Sequence, residues 1–165
     1  MVESIVFYAA GFLTVLCIVL MILQTNPVAS AICLVASFFC LAVVYVTLSA
    51  HFVAALQILV YAGAIMVLFI FVIMLLNLQD DEIVRDKLSV RNVVVFFVGL
   101  GLFALFISFV WRLPAVGFKP VVQNFGEATE VSRLMLTEYV VPFEVLGILL
   151  LAGLVGAVML GRRED

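Results

Sequence analysis

The chain has 165 residues, of which 67% are hydrophobic and 12% charged, with a formal net charge of −3 and a mean hydropathy of +1.39. No small soluble domain buries that much apolar surface, so the composition excludes a water-soluble globule and defines an integral membrane protein. The acidic balance, without a basic run or basic amphipathic stretch, speaks against a nucleic-acid partner and leaves the lipid bilayer as the surroundings.

Period-2 alternation is absent and the apolar runs continue for about 20 residues, the length of a spanning helix rather than a barrel strand. The expected fold class is all-α, an integral membrane protein with five transmembrane helices. They fall at roughly 4–23, 28–48, 52–78, 92–111 and 139–160, in a single transmembrane domain over 1–165.

The chain begins MVESIVF, with Glu3 and no Lys or Arg. The positive start of a cleavable signal peptide is missing, so the first helix is expected to stay. At QTNP (24–27), Asn26-Pro27 is a turn signal followed by a helix start. The second span carries Ser30, Cys33, Ser37, Cys40 and Thr47 on one stripe beside Ala29 and Ala36, a spacing that lets another backbone approach closely. Cys17, Cys33 and Cys40 lie in apolar runs without CxxC spacing and read as packing residues. On one helix Cys33 and Cys40 would stand about 10 Å apart, beyond disulfide reach.

The third segment, HFVAALQILVYAGAIMVLFIFVIMLLN (51–77), is the most informative. A helix over 52–78 would reach about 40 Å, some 10 Å beyond the hydrocarbon thickness, so it must tilt, bend or bulge. Gln57 and Tyr61, four apart, share a face of a regular helix, and Tyr61 is followed at once by Ala62-Gly63-Ala64. A glycine there removes the Cβ barrier to an irregular turn, although a small-residue patch in a membrane helix is usually just a contact. His51, at the junction before this segment, is a lone histidine without a ligand cluster; no metal site is expected.

The loop at 79–91 groups Asp80, Asp81, Glu82 and Asp86 with Arg85 and Lys87, a solvated loop or the start of an amphipathic segment, with contact to a soluble partner as the alternative. Arg85, Lys87, Arg91, Arg162 and Arg163 fall on one side of a five-span layout, against Arg112, Lys119 and Arg133 on the other. The positive-inside rule then places the N-terminus and the 112–138 loop outside and the C-terminus in the cytoplasm.

In the last span Gly147, Gly153, Gly156 and Ala157 again mark a contact face. Glu144, after Pro142, is the one convincing ionisable group within a span. It reads either as a buried proton-relay carboxylate or as a first-turn glutamate favoured by the helix N-terminus. A self-contained pump would need several such groups, so the chain is expected to assist a proton path built by others.

TNPV (25–28) after a first span, followed by LQILVYAGAIMVLFIFVIMLLNL (56–78) and PFEVLGILLLAGLVGAVML (142–160), closely resembles the J-subunit family of proton-pumping NADH:quinone oxidoreductase, called subunit 6 in mitochondria. The resemblance covers the five-span layout, and Tyr-Ala-Gly-Ala is its most specific part. It implies a π-bulge in the third helix whose rotation opens or closes a hydrated connection between the quinone end and the antiporter-like subunits. The residues it carries over are Tyr61, Gly63 and Val67, with Gln57 beside them.

The resemblance further implies H, K and A type membrane subunits as partners and a bacterial inner membrane as the location. NADH, FMN, iron-sulfur clusters and quinone would belong to other subunits, with no cofactor and no complete active site in this chain. The expected function is a non-redox core subunit that helps couple quinone reduction to proton pumping by gating at the third helix. Its rivals are a related subunit of a membrane-bound hydrogenase or multi-subunit cation/proton antiporter, and a rigid scaffold.

Overall fold

The computed structural model describes residues 2–76, 90–112 and 125–162. Among them the only regular structure is helical, as lipid demands of backbone groups that must find partners within their own segment. The chain divides into two compact units, Met1–Asn77 with Val122–Asp165, and Leu78–Val121. The acidic group at Asp80, Asp81, Glu82 and Asp86, with Arg85 and Lys87, lies outside the described residues.

The larger unit opens with α1 (Val2–Leu23) and α2 (Pro27–Thr47). At 1.5 Å per residue each is about 30 Å long, matching the hydrocarbon core. The turn between them is built as its sequence signals. Asn26 is extended (φ −84°, ψ 120°) and its side-chain oxygen accepts from the Val28 amide at 2.9 Å and the Ala29 amide at 3.4 Å. Pro27 then occupies the first turn, where a missing N–H costs nothing.

α1 packs along α2. The Ser30 hydroxyl donates to the Met21 carbonyl at 2.9 Å across the turn, and the Cys17 and Cys40 side chains meet between the two helices. α2 ends in a Schellman motif: the Ala50 amide donates to the Tyr45 carbonyl and the Ser49 amide to the Val46 carbonyl, both at 3.0 Å. Ser49 holds the left-handed position (φ 60°) that glycine usually fills.

The third membrane helix, His51–Leu75, is continuous but not uniform. It consists of α3 (His51–Leu56), a π-helical segment π1 (Gln57–Ile65) and α4 (Met66–Leu75). It packs against α2 through Ala31, Met66 and Ile73, flanked by Val28, Leu34, Phe38 and Ile70. Of the stripe expected to admit a neighbour, Ser37 is buried at 1% exposure while Ala29, Ser30, Cys33, Ala36, Cys40 and Thr47 are half-buried; Ala31 and Ala42, outside that stripe, are the other buried positions of α2. Apart from Ser30, which reaches α1, the stripe's hydroxyls are satisfied within their own helix. Ser37 donates to the Leu34 carbonyl and Thr47 to that of Val44, each at 2.7 Å.

After the turn at Phe125 and Gly126, a short amphipathic helix α6 (Ala128–Thr137) packs on α3 and on α7 (Val140–Gly161). Among the described residues α7 has none buried. Its small-residue face is open: a Cβ added at Gly147, Gly153 or Gly156 would meet nothing within 4 Å. The smaller unit contributes α5 (Val90–Arg112).

Four helices, Val2–Leu23, Pro27–Thr47, His51–Leu75 and Val140–Gly161, are long and apolar enough to cross a membrane. The described apolar stretch of α5, Phe97–Arg112, is shorter.

Candidate functional site

Four of the five singled-out residues, Gln57, Tyr61, Gly63 and Val67, lie on the third helix within or just beyond π1. Their arrangement follows from its hydrogen bonding. The Met66 amide, at the end of π1, donates to the Tyr61 carbonyl five residues back instead of four. Each such turn holds one residue more than an α-turn, so side chains beyond it advance by one position.

The buried face records that advance. Ala54, Gln57, Ala62, Met66 and Ile73 point inward, with Ile70 packed on the same cluster. The steps are three, then five, then four, four and three. An uninterrupted α-helix would follow Gln57 with Tyr61, Ile65 and Val72. Instead Ala62 takes that place, and Tyr61 remains 49% exposed while Gln57 is buried at 6%. The shared face expected for Gln57 and Tyr61 is therefore divided, because the expectation assumed a uniform α period.

Tyr61 keeps one contact with α2. Its ring lies edge-on to Phe38, with centroids 5.9 Å apart and planes at 66°. Such pairs contribute about 1 kcal/mol beyond area burial. Phe38 also packs on the Met66 and Ile73 cluster, so Tyr61 and the helix beyond π1 rest on the same α2 side chain.

Gly63 lies within the wide turn, where a side chain is crowded. A Cβ there would come within 3.2 Å of the Ile58 carbonyl oxygen, again the residue five back. Val67, the third residue carried over by the resemblance, lies past the end of π1 in α4 and is 47% exposed. Glu144 stands apart from this group, exposed on α7 with no buried neighbour on its own helix.

Two participants carried no sequence signal. Phe38 is one aromatic among many apolar residues, and only the helix pairing gives it a role. Met66 marks the register change through its burial, not its type. Gly126, in a polar loop, had the usual glycine signal of a turn.

The fold and this site define a multi-pass helical membrane protein whose third helix changes hydrogen-bond register midway. The family model for NADH-ubiquinone/plastoquinone oxidoreductase chain 6 matches residues 17–160, and the chain belongs to that family. It is 36% identical over 167 aligned residues to the NAD(P)H-quinone oxidoreductase chain 6 of Synechocystis sp., covering 99% of this chain and 82% of the relative. It is 35% identical over 160 residues to the NADH-quinone oxidoreductase subunit J of Escherichia coli (strain K12), covering 96% and 86%. A chloroplastic NAD(P)H-quinone oxidoreductase subunit 6 from Staurastrum punctulatum is 38% identical over 139 residues, covering 82% and 77%.

Proposed function

We propose that this chain is a non-redox membrane subunit of a proton-translocating NADH:quinone oxidoreductase and that its third helix gates a hydrated path. The observation that carries the gating proposal is the step of five between the buried residues Gln57 and Ala62. A π-turn converted to an α-turn moves everything beyond it by one residue, about 100° of helix rotation. Tyr61, Ile65 and Val72 would then replace Ala62, Met66 and Ile73 against α2, and Val67 would sweep to the place Leu68 holds now. The two arrangements present different side chains to the same neighbour, which is what a two-state gate requires.

In this reading Gln57 and the Tyr61 hydroxyl order water or a hydrogen bond at the edge of the path. Gly63 permits both helical forms, since a larger residue presses on the Ile58 carbonyl in the wide one. Glu144, exposed in this chain, becomes a buried carboxylate only where a neighbouring subunit covers α7. Subunits of the H, K and A types are the partners proposed for that open surface. α5 supplies a fifth span, with the N-terminus outside and the C-terminus in the cytoplasm. NADH, FMN, iron-sulfur clusters and quinone are assigned to other subunits.

Replacing Gly63 by Val tests the gate. The expected outcome is an assembled complex, seen on a native gel, whose coupled turnover falls several-fold. Loss of assembly, or unchanged turnover in the purified variant, would overturn it. A rigid-scaffold role is the rival, and Tyr61→Phe separates the two because it keeps the ring on Phe38 and removes only the hydroxyl. The scaffold predicts unaltered proton pumping, and the gate predicts a loss.

A further inference from the structure

The third helix begins without a cap of its own. Its Ncap residue, Ala50 (φ −93°, ψ 58°), has no side chain able to accept a hydrogen bond. The Phe52 amide, one of the orphan donors of the first turn, donates instead to the carbonyl of Gly126 at 2.9 Å, from a turn more than seventy residues further along the chain.

Gly126 is buried in the left-handed region (φ +84°), and a Cβ there would overlap the Ser49 carbonyl oxygen, with the Ala50 Cα at 3.0 Å and the Ser49 carbonyl carbon at 3.1 Å. All three are backbone atoms and cannot swing aside. Ser49 is itself held at φ 60° by the Schellman motif that ends α2. Two backbone turns in left-handed conformations are thus pressed together, and only glycine fits at the contact. The turn runs directly into α6, which packs on α3 and α7.

We infer that Gly126 is a positioning residue: it caps the third helix in trans and fixes the rotational phase of α3, so that a register change in π1 turns α4 and not α3. This inference rests on the gating function proposed above. The physical need is simple, because converting a π-turn in π1 to an α-turn sets only the angle between the two halves. Which half turns depends on which is held. α3 has six residues, too short to hold its own orientation as an isolated helix. Its packing on α2 and α6 sets where it lies, and the Gly126 carbonyl fixes the first turn, where the helix has no cap of its own.

The test uses the purified complex in lipid nanodiscs, at rest and during turnover, with hydrogen exchange resolved to single amides. In the wild type the Phe52 amide should exchange roughly tenfold more slowly than the uncapped His51 amide in both conditions. In Gly126→Ala its exchange should rise by about the same factor. The ratio of protons moved to electrons passed should fall while quinone reduction changes less than about twofold. Gly11→Ala, where a Cβ meets nothing within 4 Å, should alter neither.

Equal exchange at Phe52 and His51 in the wild type would overturn the inference, and this decides the matter even if Gly126→Ala fails to assemble. A wild-type proton-to-electron ratio in assembled Gly126→Ala would overturn it as well. Failure of the gate gives a different pattern: Phe52 stays protected while residues 66–75 exchange identically at rest and in turnover.

Discussion

At the residue scale the structure makes several side chains carry more than their type suggests. Asn26 accepts two backbone amides at the start of α2, so Asn26→Ala should lower stability by about 1 kcal/mol, read as a shift in an unfolding midpoint in mixed micelles. Ser49 carries the cost of a left-handed conformation in a side-chain-bearing residue. Ser49→Gly should therefore stabilise by about 1 kcal/mol in the same assay, and a destabilised variant would show that the serine side chain contributes something the backbone does not. Ser37, 1% exposed between α2 and its neighbours, has no room for growth. Ser37→Leu should overpack the contact and cost about 1–3 kcal/mol. By contrast the ion pair between Arg133 and Glu130, 3.9 Å apart on exposed side chains of α6, should tolerate Arg133→Gln with a change of no more than about 0.5 kcal/mol.

At the scale of elements the third helix is the informative case. Deleting Leu59, which lies within π1 and is 72% exposed, removes one residue without removing a buried contact. The helix should then become α throughout while Met66 and Ile73 stay against α2. A gate that needs both forms predicts an assembled complex with impaired proton translocation, measured in proteoliposomes, and a rigid scaffold predicts normal translocation.

Much of this element was legible in the sequence. The excess length, the small patch after Tyr61 and the resemblance together pointed to an irregular turn near Gly63. The boundaries were not legible, since the irregular stretch is Gln57–Ile65 and leaves Val67 outside. Hydrogen-bond register depends on which side chains α2 accepts, and periodicity within one helix holds no record of the neighbour. For the same reason the Cys17 and Cys40 contact between α1 and α2 was invisible to a search for spacing along one chain, whereas the Asn26-Pro27 start of α2, a purely local feature, was plain. Gly126 belongs with the invisible set: its glycine was readable as a turn, but its place against Ser49 depends on tertiary structure.

At the scale of the whole molecule the apolar surface is the dominant fact. Large hydrophobic side chains stand exposed along α1, α4, α5 and α7, an arrangement stable only where lipid or other subunits cover them. The chain should co-migrate on a native gel with a large multi-subunit particle that oxidises NADH with quinone. A small isolated particle would count against the proposed role. Expressed without sister subunits, α7 should be the first segment cut by an intramembrane or interfacial protease, mapped by mass spectrometry of the fragments. Equal resistance of α1 and α7 would contradict this.

The bare α7 also bears on how such a chain is made. A helix that finds no buried position among the described residues leaves the insertion machinery as an unmatched piece. Its half-life should then depend on how soon another subunit covers it. Production of this protein would be metered by its neighbours: copies made in excess keep an unmatched helix, and the membrane's quality control can recognise and remove them before they accumulate.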